Sequence, residues 1–91
     1  MKLHLRKFNQ FLEKTKQNLR KDEKEKIEFY LNKIATQKVF SFDECKEFKI
    51  LVEKIRQALS EKEKEEFDWI APTLLSFALA MIVDELGPLS K

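Results

Sequence analysis

The first two-thirds of the chain lack the residues that most often end a helix. No glycine or proline occurs between Met1 and Ala71, and the whole chain of 91 residues contains one glycine and two prolines. Because these residues are the strongest breakers of regular structure, helix is the default expectation before Ala71. Apolar residues recur there at helical spacing, so we predict an all-α fold, a compact bundle of four to five helices, with residues 1–91 as one domain.

A first helix is predicted over about residues 2–20 by apolar side chains three and four positions apart. The charged run 20–26 contains no apolar side chain, so none of its faces can be buried. We predict a turn there, followed by a second helix over about residues 23–36 that is capped by Asp22. The alternative is one uninterrupted helix that passes through the charged run.

Two serine residues mark the starts of later helices. Ser41 is followed three residues later by Glu44, which is the spacing of a capping box, and a third helix is expected to begin at about Phe42. Ser60 and Glu63 repeat this spacing and predict the start of a fourth helix.

The C-terminal part of the chain holds an uncharged stretch from Trp69 to Val83. Its apolar residues occupy every side of a helix, and such a helix is expected to be surrounded by protein. We predict a break or kink near Pro72 and a central apolar helix over residues 69–86 that ends at Gly87. The stretch is shorter than the roughly 20 apolar residues that a membrane span requires, so no span is predicted.

Three short amphipathic helices cannot cover every side of this apolar helix. We expect the remaining face to pair with the same helix of a second chain, which predicts a homodimer that works as a protein-interaction module. Association with another protein is a further possibility, and a monomer with the helix enclosed by the other helices is the alternative. The residues predicted to form the partner or self-association surface are Trp69, Leu75, Leu79, Ile82 and Val83.

The first 21 residues are strongly basic. They contain seven Lys or Arg and one acid, a net charge of +6, whereas the whole chain carries +2. A basic helix can lie along phosphates, so a nucleic-acid-associated regulator is the alternative function. Acids at the start of the third helix argue against helix-turn-helix recognition of bases. The possible nucleic-acid contacts are Lys2, Arg6, Lys7, Lys14, Lys16, Arg20 and Lys21.

The sequence gives no support for catalysis. His4 is the only histidine and has no serine or cysteine at a spacing typical of a nucleophile and its base. One histidine and one cysteine do not supply a zinc site, and no cofactor is expected. Cys45 falls on an apolar stripe and is expected to be a buried thiol. We therefore expect a non-enzymatic protein. The lone cysteine and the lack of a secretory signal predict that it lies in the cytoplasm.

Overall fold

The computed structural model describes residues 2–86, with the side chains of residues 2–82. The described residues contain no β-strand, which confirms the predicted all-α class. The radius of gyration is 13.3 Å, close to the ~12 Å of a folded chain of this length. Residues 2–86 form four α-helices, α1 Lys2–Thr15, α2 Lys21–Ala35, α3 Phe42–Gln57 and α4 Glu61–Leu86, and a 3-10 turn occupies Lys16–Asn18.

The chain turns between α1 and α2, so the alternative of one uninterrupted helix is wrong. The boundaries of the turn differ from those predicted. α1 ends at Thr15, whose hydroxyl donates to the carbonyl oxygen of Phe11 at 2.9 Å. α2 begins two residues earlier than expected because Arg20, and not Asp22, occupies the cap position. The side chain of Glu23 accepts a hydrogen bond of 3.0 Å from the backbone N–H of Arg20.

Both predicted capping boxes are present. Ser41 Oγ accepts from the backbone N–H of Glu44 at 3.0 Å, and the Glu44 carboxylate accepts from the Ser41 N–H at 2.9 Å. The corresponding distances at Ser60 and Glu63 are 3.2 and 3.0 Å. Each pair satisfies two donors that a helix start leaves unpaired, and α3 and α4 begin directly after these serines.

α4 does not break at Pro72, contrary to the prediction, and is continuous over 26 residues. Pro72 lies on the exposed side of the helix, where water can satisfy the backbone carbonyl that a proline leaves without a partner. Ile70 and Leu74 are buried on the opposite side. Burial of side chains of this size contributes about 1.5–3 kcal/mol each, which offsets the cost of about 3 kcal/mol for an internal proline.

The hydrophobic core lies where α4 packs against α1, α2 and α3. Phenylalanine rings supply much of it, and the rings of Phe11 and Phe67 meet edge to face with their centroids 5.4 Å apart. The largest side chains that are fully buried are Phe8, Phe40, Phe48, Phe67, Leu12, Ile27, Ile34, Ile55 and Leu74. One stripe of α4 therefore faces the core, and the opposite side of the helix is exposed to solvent.

Ion pairs attach the acidic start of α4 to α1 and to α3. Lys14 of α1 contacts Glu63 with an Nζ–Oε2 distance of 2.7 Å. Arg56 of α3 donates two hydrogen bonds to Asp68, at 2.8 and 3.1 Å. The charged first turns of α4 therefore form contacts within the chain, whereas residues 69–83 of the helix have no charged side chain that could form an ion pair.

Candidate interaction surface

α4 buries one stripe of its surface and exposes another. The buried residues recur three and four positions apart and are Phe67, Ile70, Ala71, Leu74, Ala78 and Ile82. Between positions 69 and 80, the exposed residues carry no charge. We call them the α4 strip: Trp69, Pro72, Thr73, Ser76, Leu79 and Ala80. Within one chain the other helices thus leave one side of α4 exposed, which contradicts the alternative in which they enclose it.

The five residues predicted for the partner surface fall into different environments. Trp69 and Leu79 are exposed, with 82% and 57% of their surface accessible. Leu75 is half-buried. Ile82 is buried in the core, so its assignment to the partner surface is wrong. Its position on the apolar helix was correct, but it follows the buried stripe. The side chain of Val83 lies outside the described residues.

The α4 strip differs chemically from the rest of the surface. Charged residues make up 37% of the chain, yet the strip has none over twelve consecutive positions of the helix. Trp69 stands at its N-terminal end and Leu79 near its C-terminal end, with Thr73 and Ser76 between them. Large exposed apolar side chains grouped in this way mark interaction sites more often than isolated ones do, and tryptophan is enriched among residues that dominate binding energy.

A groove adjoins the strip where α3 packs beside α4. Its volume is about 420 Å³, and we call it the α3/α4 groove. Phe42 forms part of the wall and is 61% exposed. The ammonium of Lys46 lies 5.3 Å from the centre of the Phe42 ring, a cation–π contact. The groove is lined by Phe42, Cys45, Lys46, Lys49, Pro72, Leu75, Ser76 and Leu79.

Sequence reasoning placed Leu75 and Leu79 near this surface but missed the contribution of α3. One signal was available: Phe42 lies outside the buried stripe of α3, so a large apolar side chain there had no partner within the helix pattern. The two lysines of the groove gave no signal, because charged residues on the outside of a helix are ordinary.

Cys45 is a buried free thiol, as expected, and it lines the α3/α4 groove. Burial raises the pKa of this thiol, against a smaller opposite effect of the positive charge of Lys49. A raised pKa keeps the sulfur protonated at neutral pH, and a protonated thiol is a poor nucleophile. Cys45 therefore acts in this surface as a small apolar side chain.

More than half of the basic residues predicted to contact nucleic acid are engaged in ion pairs. Lys7 and Lys14 contact acids of α4, and Lys16 and Arg20 contact acids nearby in the sequence. The nitrogen–oxygen distances are 3.3 Å for Lys7–Glu66, 2.7 Å for Lys14–Glu63, 2.9 Å for Lys16–Glu13 and 3.4 Å for Arg20–Asp22. Lys2, Arg6 and Lys21 form no ion pair with residues 2–82. The positive charge of the N-terminal region is thus partly neutralised by its neighbours.

His4 is half-buried in α1, and its Nδ1 atom has no hydrogen-bond partner among residues 2–82. Within the described part of the chain, no three His, Cys, Asp or Glu side chains lie together in a way that could hold a metal ion. Over residues 2–86, no helix combines the length and apolar character that crossing a membrane requires.

The candidate surfaces are therefore an uncharged helix strip, a neighbouring apolar groove with two lysines, and a basic N-terminal region in which four of seven Lys and Arg residues are in ion pairs. Comparison of the chain with protein-family models, with curated proteins and with solved structures gives no significant match.

Proposed function

We propose that the protein is a non-enzymatic interaction module, a helical bundle in which two copies associate through the α4 strip. The observation that carries this proposal is the exposure of Trp69 on a charge-free strip of a chain rich in charged residues. An aromatic side chain of this kind buries about 150–250 Å² when it is covered. Removal of apolar surface from water favours association by about 25 cal/mol for each Å².

A second copy of the chain fits this strip better than an unrelated protein does, because the strip is complementary to itself. Trp69 and Leu79 lie toward opposite ends, and the smaller side chains of Thr73 and Ser76 lie between them. When two such strips pack antiparallel, Trp69 of each copy lies beside Leu79 of the other. Two-fold symmetry is the commonest symmetry of protein assemblies, and it forms every contact of the interface twice.

The test is the molecular mass in solution of variants that place a charge on the strip or elsewhere. Leu79→Lys changes the strip, and Ile50→Lys is the matched control because Ile50 is 60% exposed on α3. We expect the wild type and Ile50→Lys to have twice the chain mass of 10.9 kDa, and Leu79→Lys to have the mass of one chain. A wild type that sediments as a monomer at all concentrations would overturn the proposal.

Two further features accompany this proposal. The free thiol of Cys45 suits the reducing interior of a cell, so we place the module in the cytoplasm. The alternative of a nucleic-acid-associated regulator has less support, because four of its seven candidate cations are in ion pairs.

A further inference from the structure

We propose that the α3/α4 groove of each copy receives Trp69 of the other copy, with Glu65 of one copy beside Lys46 of the other. This inference rests on the homodimer proposed above and specifies its contacts. It follows from the size of the surface, from the spacing of residues along α4 and from the charges at the two ends of the strip.

The α4 strip alone is too small for a stable dimer. Its twelve positions span about 17 Å of helix, and a helix about 10 Å wide gives a footprint of about 170 Å². A standard interface buries about 800 Å² from each partner. The interface must therefore include neighbouring surface, and the α3/α4 groove is apolar and continuous with the strip because both include Pro72, Ser76 and Leu79.

The spacing along α4 places Trp69 at the groove of the second copy. Ten residues separate Trp69 from Leu79, which corresponds to about 15 Å along the helix. Thr73 and Ser76 lie midway and are small enough to let two helices approach closely. With a two-fold axis at this midpoint and the two α4 helices antiparallel, Trp69 of one copy lies beside Leu79 of the other, and Leu79 lines the groove.

The charges at the two ends of the strip favour the same arrangement. Glu65 lies one helical turn before Trp69, on the same side of α4, and is exposed. Lys46 and Lys49 line the groove together with Leu79, which lies toward the other end of the strip. None of these three residues forms an ion pair with residues 2–82. Antiparallel packing brings the acid of one copy to the lysines of the other, whereas parallel packing would bring like charges together.

Charge reversal tests these contacts. We expect Lys46→Glu and Glu65→Lys each to raise the dimer dissociation constant about tenfold or more, because two attractive pairs per dimer become repulsive. The chain that carries both substitutions should regain the wild-type dissociation constant. An equimolar mixture of the two single variants should form a heterodimer, since both of its charge pairs are attractive. The matched controls are Lys38→Glu and Glu25→Lys, which are exposed and belong neither to the strip nor to the lining of the groove.

The outcomes separate this inference from the proposal beneath it. If the wild type is a dimer but neither reversal changes its dissociation constant, the contacts assigned here are wrong and the homodimer stands. If Trp69→Ala, with its helical content intact, dimerises as tightly as the wild type, the placement of Trp69 is likewise wrong. If the wild type is a monomer at every concentration, both proposals are overturned, and the groove is left to a different protein.

Discussion

Lys14 at the end of α1 and Glu63 in the first turn of α4 form an ion pair with an Nζ–Oε2 distance of 2.7 Å. The same carboxylate completes the cap of α4 by accepting a hydrogen bond from the backbone N–H of Ser60 at 3.0 Å. One side chain thus starts α4 and ties it to α1. The hydrogen bonds from Lys14 and from Ser60, in that order of importance, hold the pKa of Glu63 at about 2, below its ordinary value of 4.5.

The lowered pKa of Glu63 predicts a loss of stability in acid. Between pH 4.5 and about pH 2, the unfolded chain binds a proton at this position more readily than the folded chain. The contribution of Glu63 to stability is therefore complete above pH 4.5 and is lost as the pH falls toward 2. The check is the urea midpoint at a series of pH values. Glu63→Gln should show a weaker dependence in this range, and an unchanged dependence would contradict the assignment.

Two leucines of α4 should respond differently to truncation. Leu74 is fully buried, so Leu74→Ala should lower the free energy of unfolding by about 2–5 kcal/mol. Leu79 is exposed, so Leu79→Ala should change it by less than about 0.5 kcal/mol in dilute solution and should instead weaken dimerisation. Chemical denaturation at low protein concentration separates the two effects. Equal losses of stability in the two variants would show that the exposed side of α4 is assigned wrongly.

Tyr30 should resist ionisation at alkaline pH. It is the only tyrosine, it is buried, and its hydroxyl donates to the carboxylate of Glu47 on α3. Burial and then this hydrogen bond raise the pKa of Tyr30 well above its ordinary value of 10.0. Its contribution to stability is present below pH 10 and is lost at higher pH.

An absorbance titration of tyrosinate measures the ionisation of Tyr30 directly. The substitution Glu47→Gln should lower the pKa of Tyr30 only part of the way toward its ordinary value, because the ring remains buried. Ionisation at the same pH with and without denaturant would argue against a buried hydroxyl.

The partial pairing of the basic residues leads us to expect weak binding to duplex DNA. Lys7 and Lys14 already contact acids of α4, and the net charge of the chain is only +2. We predict no retention on duplex DNA at physiological salt. The opposite result would be tight binding in which the logarithm of the association constant falls linearly with the logarithm of the salt concentration. If that binding were also lost on replacing Lys2, Arg6 and Lys21 by alanine, the nucleic-acid function would be favoured instead.

The starts of α3 and α4 were predictable from sequence because a capping box is a local interaction. Ser41 with Glu44, and Ser60 with Glu63, form hydrogen bonds between residues three positions apart, so the spacing in the sequence is enough to indicate them. The cap of α2 was predicted two residues too late, since Arg20 offers no side-chain acceptor of the usual kind and only its backbone N–H takes part.

The exposed side of α4 was less predictable. Apolar residues occupy most of the helix, so the sequence pattern does not show which of them the other helices cover. Which residues are covered depends on where α1 and α3 pack against α4. In the fold, Ile82 is buried and Leu79 is exposed. Pro72 taken alone predicts a break in the helix, but the burial of Ile70 and Leu74 on the opposite side of α4 offsets the cost of the proline.

The most direct test of the proposed interface uses the fluorescence of Trp69, the only tryptophan, over a wide range of protein concentration. Trp69 is 82% exposed in the single chain. We predict that its emission shifts to shorter wavelength and that quenching by acrylamide weakens, in step with the doubling of mass, as the concentration rises. If the mass doubles while the emission wavelength of Trp69 remains that of a solvent-exposed tryptophan, the assignment of the α4 strip as the interface is contradicted.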